Sequence, residues 1–212
     1  MDKTLIDDVK VLYDERVQFS IRIKRNVFEN ADPSKVQLHI FADASAQAYG
    51  CVAYLRYLDN NNKFQTTLIF AKSRIAPLKP VMTITKLELT ATALAQHVAE
   101  FLKAEIKDVL IIEKVVIYTD STTVLYWIKN PEGKGRYVIN RVNKLNASDA
   151  EFRHVQGTIN PADLVSRGCS PSELVNNQLW FEGPTFLRKQ KHFGQFQPNL
   201  EAENLTSHSL QL

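Results

Sequence analysis

Cysteine is nearly absent: Cys51 and Cys169 are the only two in 212 residues, too few and too far apart for a disulfide framework or a zinc site. No stretch approaches the ~20 apolar residues that would cross a bilayer. The opening Met-Asp-Lys-Thr-Leu-Ile-Asp-Asp carries no apolar signal region. These absences predict a soluble, intracellular, cytoplasmic protein with no membrane partner. Glycine (7) and proline (8) are scarce, and no internal repeat or low-complexity segment occurs; a fibrous or wholly disordered chain is excluded. With 44% hydrophobic residues the chain can bury one sizeable core. Its net charge of +3 is too small to specify a nucleic-acid partner. The cations are nonetheless clustered, at Arg22, Lys24 and Arg25, at Lys72, Arg74 and Lys79, from Lys129 to Lys144, and at Arg188, Lys189 and Lys191.

Residues 1 to about 34 carry a short helical pattern, an alternating run through Phe19, Ile21 and Ile23, and a turn-rich Asn-Ala-Asp-Pro-Ser. From Val36 the alternation of Val36, Leu38, Ile40 and Ala42 predicts a strand ending at Asp43. Tyr49–Tyr57 and Phe64–Phe70 are two more β-rich runs, joined by an Asp/Asn-rich loop suited to a hairpin. After Pro77 and Pro80, Leu87, Ala91, Leu94, Ala95, Val98 and Leu102 recur at helical spacing. Val115–Thr119 is a short buried strand, and Ser121 can cap the helix that follows. A second amphipathic segment covers about 137–145, a last strand 151–155, and a final helix opens at Pro161 and closes at Gly168. The pattern predicts an α/β fold, a mixed five-stranded sheet with helices on both faces. Its domain covers 35–168, with 1–34 as an N-terminal segment and 169–212 as a partly disordered extension.

Four carboxylates fall at informative places: Asp43 and Asp120 at strand ends, Glu88 in the first turn of the long helix, and Asp163 in the last helix. Neighbouring first and fourth strands would set Asp43 beside Asp120, with Glu88 and Asp163 reaching in from helices. Clustered carboxylates repel, and hard divalent ions relieve that repulsion. Two Mg²⁺ ions about 4 Å apart would suit in-line phosphodiester hydrolysis. Each residue also has a plainer use. Asp43 and Asp120 suit turns or caps, Glu88 a capping box with Thr85, and Asp163 a helix dipole.

The chain resembles the ribonuclease H domain of Bel/Pao-type long-terminal-repeat retrotransposons. The resemblance rests on Leu-His-Ile-Phe-Ala-Asp-Ala-Ser-Ala-Gln-Ala-Tyr-Gly-Cys-Val-Ala-Tyr, Lys-Leu-Glu-Leu-Thr-Ala, Tyr-Thr-Asp-Ser-Thr-Thr-Val-Leu, Arg-His-Val, Asn-Pro-Ala-Asp-Leu-Val-Ser-Arg-Gly and Leu-Trp-Phe-Glu-Gly-Pro, in that order across about residues 19–187. It implies a ribonuclease H-like sheet, catalytic and metal-binding roles for Asp43, Glu88, Asp120 and Asp163, two Mg²⁺ or Mn²⁺ ions, and cleavage of the RNA strand of RNA-DNA hybrids during reverse transcription. It also implies a reverse transcriptase polymerase domain as partner, a place in the cytoplasm or in virus-like particles, and for residues 1–34 a remnant of the segment joining the polymerase.

The loop Gln156-Gly-Thr-Ile-Asn160 lacks the histidine that many relatives carry there; His154 falls earlier, within the last strand. With no Tyr-x-Asp-Asp motif and no zinc-binding His/Cys set, the chain resembles a polyprotein fragment or a stranded gene remnant, and an inactive accessory module is the competing expectation. A peptidase name is also attached to this retrotransposon region. An aspartic protease needs Asp-Thr-Gly or Asp-Ser-Gly, whereas Asp43 precedes Ala-Ser and Asp120 precedes Ser-Thr. A transposase or integrase nuclease would end its carboxylate set on a late helix Glu. For substrate contact the candidates are Ser45, Ser121, Asn160 and Ser166 at the RNA 2′-hydroxyl, and Lys72, Arg74, Lys134, Arg136 and the segment to Lys144 at phosphates. The serines and Asn160 suit cap and turn roles equally. Trp127 and Tyr137 are aromatic candidates for the backbone, though Trp127 also fits the core.

Overall fold

The structure is a computed structural model that describes residues 27, 28, 31 and 35–189. The patterns expected over most of 1–34, and the chain past Lys189, lie outside the described residues. Strands β1 (Lys35–Ala44), β2 (Ala48–Leu58) and β3 (Phe64–Ile75) form an antiparallel meander. Helix α1 (Ile84–Ile106), strand β4 (Ile111–Thr119), helices α2 (Thr122–Lys129) and α3 (Arg136–Asn146) and strand β5 (Glu151–His154) follow. Three five-residue helices follow, α4 (Asp163–Arg167), α5 (Pro171–Val175) and α6 (Gln178–Glu182), and a 3-10 turn over Thr185–Arg188 closes the described chain. The sheet order is β3-β2-β1-β4-β5, with β1 parallel to β4 and β4 parallel to β5.

Period-two alternation on a strand covered from both sides sends its two residue sets into two cores. Val36, Leu38, Ile40 and Ala42 of β1 pack with Val115 and Ile117 of β4 against Leu87, Ala91, Ala95, Val98 and Leu102 of α1. Leu89, on the far side of α1, meets Val124 and Ile128 of α2 and Val138, Val142 and Leu145 of α3. Trp127 is partly buried in that cluster, as helical spacing suggests. Three helices are thus stacked on one side of the sheet.

The opposite face is covered differently. Phe41, Val52, Tyr54, Val116 and Tyr118 are closed over by Val155, Ala162, Val165, Trp180, Phe186 and Leu187. The stretch taken from sequence as an extension after Gly168 therefore supplies part of this core. Leu187 is 2% exposed, and its carbonyl accepts from Arg56 Nε at 2.5 Å. The final helix opens at Asp163, two residues later than Pro161 predicts, because Asn160 Oδ1 accepts from Ala162 N at 3.1 Å and holds a turn there. Gly168 ends it at φ 79°, a conformation open to glycine. Among the described residues no helix is long and apolar enough to cross a membrane.

Candidate active site

The register of the two central strands sets up the site. Ala42 of β1 is level with Thr119 of β4, so Asp43 and Asp120 leave adjacent parallel strands side by side. β1 turns straight back into β2, with Ser45 N donating to the Ala48 carbonyl at 2.7 Å, whereas β4 ends at Thr119 and leads into the Ser121 cap of α2. Asp43 is 6% exposed and sits opposite Gly50 of β2.

Gly50 explains how the last helix comes so near. A Cβ built there would lie 2.3 Å from Val165 Cγ1 and 2.5 Å from the Lys72 carbonyl oxygen. Only glycine lets α4 rest on β2 at this point. With α4 seated, Ser166 Oγ donates to Asp43 Oδ2. Ser73 Oγ of β3 donates to the Val165 carbonyl at 3.0 Å. Ser45 Oγ donates to the Ser166 carbonyl at 2.7 Å, and Asn160 Nδ2 to the Ala42 carbonyl at 3.1 Å.

Glu88 reaches the site from α1, where it is the fifth helical residue. The cap of α1 is Thr83, whose side chain accepts from Lys86 N, and its first turn holds no acidic residue. The capping box expected with Thr85 is therefore not formed. Instead Glu88 Oε2 accepts from Ser121 Oγ at 2.6 Å, while that same oxygen of Ser121 accepts from Val124 N at 3.3 Å as the cap of α2. Asp120 caps nothing. Its Oδ1 is buried with no hydrogen-bond partner, and a Cβ on Gly157 would lie 3.2 Å from its Oδ2. Asp163 Oδ1 accepts from Arg167 Nε at 2.5 Å.

The electrostatics carry the mark of crowded negative charge. Burial raises the carboxyl of Asp43 to about 6, and Asp120 and Asp163 push it the same way against the opposing bond from Ser166. Burial likewise raises Asp120, with Glu88 and Asp163 adding to the rise and His154 opposing it. His154 closes β5 opposite Thr119, so the histidine sits beside the carboxylate edge, though in a strand. Among the described residues no three His, Cys, Asp or Glu side chains are gathered into a metal-ligating set. Bare carboxylates repel, and here Glu88 is drawn to Ser121 and Asp163 to Arg167. The donor chemistry still suits a hard divalent cation. It is all carboxylate oxygen, and the orphaned Asp120 Oδ1 lacks the partner that a buried acceptor requires.

The other candidates divide into two groups. Ser45, Ser121, Asn160 and Ser166 are buried and already bonded within the site, so they hold its parts together. Lys72 and Arg74 are exposed on β3, and Arg136 is exposed at the start of α3. Lys134 is half-buried, its Nζ 5.7 Å from the Tyr126 ring centroid. Sequence reasoning missed Gly50 and Gly157. A glycine inside a strand pattern, Tyr-Gly-Cys, was the available signal for the first.

Residues 1–121 match the family described as the Pao retrotransposon-like RNaseH-like domain. That range includes Asp43, Glu88 and Asp120 and stops short of Asp163. No curated protein matches the chain. Among solved structures, RNase H1 from the halophilic archaeon Halobacterium salinarum NRC-1 is similar at 12% identity and a TM-score of 0.39, over 62% of this chain and 93% of that one. LC11-RNase H1 in complex with an RNA/DNA hybrid is similar at 14% identity and a TM-score of 0.43, over 65% and 99%. The prototype foamy virus protease-reverse transcriptase is similar at 15% identity and a TM-score of 0.33, over 72% of this chain and 21% of that one. These are distant likenesses, and no residue's role rests on them.

Proposed function

The chain belongs to the Pao retrotransposon-like RNaseH-like domain family, and from that premise we propose that it is a divalent-metal-dependent endonuclease that hydrolyses the RNA strand of RNA-DNA hybrids during reverse transcription. The observation that carries this reading is Asp120, whose buried Oδ1 lacks a partner next to an Asp43 already raised by burial and by its acidic neighbours. A site of that kind has a standing demand for positive charge.

Asp43, Glu88, Asp120 and Asp163 are the residues that would hold a pair of Mg²⁺ ions, with Mn²⁺ as a substitute. Such ions, when bound, supply activation of a water and charge neutralisation at the leaving oxygen of an in-line displacement. The chain's own contribution is placement. The β1 and β4 ends fix two carboxylates in register, Ser121 holds Glu88, and Ser166 holds Asp43. Lys72, Arg74, Lys134 and Arg136 supply cations for the phosphates of the bound strand. A polymerase domain would deliver the hybrid.

A second reading, a catalytically weak accessory module, draws on the Arg167–Asp163 pair, which occupies one carboxylate that the reaction would need. Cleavage of a labelled RNA-DNA hybrid in Mg²⁺ or Mn²⁺, with duplex DNA and duplex RNA alongside, separates the two. Hybrid-only cleavage that disappears in Asp120→Asn establishes the nuclease. A folded protein that cuts nothing with either ion leaves the accessory module.

A further inference from the structure

The four acids at the carboxylate edge are not held alike. Asp43 accepts from the Ser166 hydroxyl and Glu88 from the Ser121 hydroxyl, while Asp120 Oδ1 has no partner. Asp163 alone accepts from a permanent cation, Arg167 Nε at 2.5 Å. A neutral hydroxyl orients a carboxylate and leaves its charge in place, whereas a guanidinium cancels that charge. We propose that Arg167 is a built-in placeholder for the divalent cation: it neutralises Asp163 in the metal-free chain, gives that carboxylate up on metal binding, and so sets the concentration at which the site fills. The cation it stands in for rests on the nuclease reading.

The plainer account is an ordinary i,i+4 pair along α4. Two observations go beyond it. The charge of Arg167 is favoured first by its bond to Asp163 and then, more weakly, by Asp43 and Asp120. Those two come from the ends of β1 and β4, so the cation serves the whole cluster rather than one helix neighbour. It is also held lightly. Among the described residues its terminal nitrogens make no hydrogen bond to protein, and the side chain is 65% exposed. Arg56 shows how this fold fixes a guanidinium when its place is permanent: it is 2% exposed and donates to Gln37 and to the carbonyls of Leu187 and Lys189. A solvated pair resting on a single bond is worth little. A hard divalent ion, which takes carboxylate oxygens as ligands and carries twice the charge, displaces it.

The placeholder role has a sign that a structural role lacks. Without Arg167 the metal-free cluster keeps its full repulsion, so the chain loses stability. With metal present, nothing then competes for Asp163, so affinity rises. An arginine that merely supported Asp163 would do the opposite, because its removal would loosen a ligand and weaken binding.

The experiment follows the melting temperature of the full chain during titration with Mg²⁺, and separately with Mn²⁺, at constant ionic strength and with no nucleic acid present. Arg167→Gln is expected to melt below wild type in EDTA and to reach its midpoint at roughly 2–5-fold less metal, the range of an exposed ion pair. Arg167→Lys, which keeps the charge, stays close to wild type. Lys103→Gln, which removes an equal charge from the Lys103–Asp149 pair near the other end of α1, leaves the midpoint unchanged. On an Asp163→Asn background the Arg167→Gln change no longer matters, since there is no carboxylate to contest. An unchanged or higher midpoint in Arg167→Gln overturns the proposal, and so does an equal shift in Lys103→Gln. If Arg167→Gln melts too early to titrate, calorimetric Mn²⁺ binding at low temperature gives the same ratio and decides. Hybrid cleavage is run alongside with Asp120→Asn. Tighter metal binding by Arg167→Gln with no cleavage by any variant would sink the nuclease reading and leave the placeholder. Asp120-dependent cleavage with equal metal midpoints would do the reverse, and no metal binding by either protein would overturn both.

Discussion

Ser121 donates to Glu88 across 2.6 Å while accepting from Val124 N at 3.3 Å, so a single hydroxyl both starts α2 and steadies the carboxylate that α1 contributes. Ser121→Ala removes both bonds. The lost cap alone costs about 1 kcal/mol, and freeing Glu88 lowers the cleavage rate further than that loss of stability explains. Ser121→Thr, which keeps the hydroxyl, retains most of both. Urea unfolding and hybrid cleavage on the same samples check this, and a fully active Ala variant would remove Ser121 from the site.

Asp120→Asn tests the sign of the site's electrostatics. Burial and two acidic neighbours disfavour the charged Asp120 carboxylate, so the neutral amide relieves repulsion in metal-free protein. The variant is therefore expected to melt a few degrees higher than wild type in EDTA, since about 1 kcal/mol shifts a domain of this size by a few degrees. Added Mg²⁺ stabilises wild type and leaves the variant unchanged. A thermal melt in EDTA and in Mg²⁺ reads both effects, and an equal Mg²⁺ shift in the two proteins would refute the assignment.

Gly50→Ala sets a methyl group against Val165 Cγ1 and the backbone carbonyl of Lys72. The carbonyl belongs to the β2–β3 ladder and cannot retreat cheaply, so α4 must lift. The cost is about 1–3 kcal/mol, the usual range for overpacking. Cleavage falls more steeply, because Asp163 and Ser166 move with α4. Wild-type activity in a folded Ala variant would show that α4 need not sit so near.

His39 gives the acid limb of stability. It is fully buried between Tyr118, whose hydroxyl lies 3.2 Å from Nδ1, and Gln37. Burial, with Arg56, Arg153 and Lys114 nearby, lowers it to about 3 from an ordinary 6.5. The unfolded chain therefore binds a proton that the folded chain refuses between about 6.5 and 3. The stability that His39 contributes is whole above 6.5 and is lost as the pH falls through that window. His39→Gln is expected to flatten the decline between pH 6.5 and 4 when denaturation midpoints are plotted. An unchanged slope would place the acid sensitivity elsewhere.

Leu187→Ala, distant from the carboxylates, is expected to cost about 2–5 kcal/mol, as a buried leucine does. A chain cut after Gly168 would bare Phe41, Tyr54 and Tyr118, and increased binding of a hydrophobic dye is the readout. A stable, dye-silent truncation would mean that residues 169–189 are dispensable.

What could be read from sequence was whatever has a period or a punctuation mark. The alternation of β1, the helical recurrence from Leu87 to Leu102 and the stop at Gly168 all have simple local causes. The strand-end positions of Asp43 and Asp120 followed from the same pattern. The part of the second face's cover that lies beyond Gly168 was illegible because α5 and α6 are each five residues, too short to show a helical repeat. Glu88 invited a capping box with Thr85, but the helix starts at Ile84 behind the Thr83 cap, which moves Glu88 into the second turn. The serines near the carboxylates looked able to face a ligand. Only tertiary packing turns Ser121 and Ser166 toward Glu88 and Asp43.

Among the described residues strand β3 pairs with β2 alone, and from Ala71 to Ile75 it is exposed. An open strand edge is a template on which a second copy can add itself, and projecting charges are a common guard against it. Lys72 and Arg74 occupy that stretch. Their replacement by neutral residues therefore trades against colloidal behaviour: a chain relieved of these cations is expected to self-associate, edge to edge, as its concentration rises, which light scattering at increasing concentration would detect.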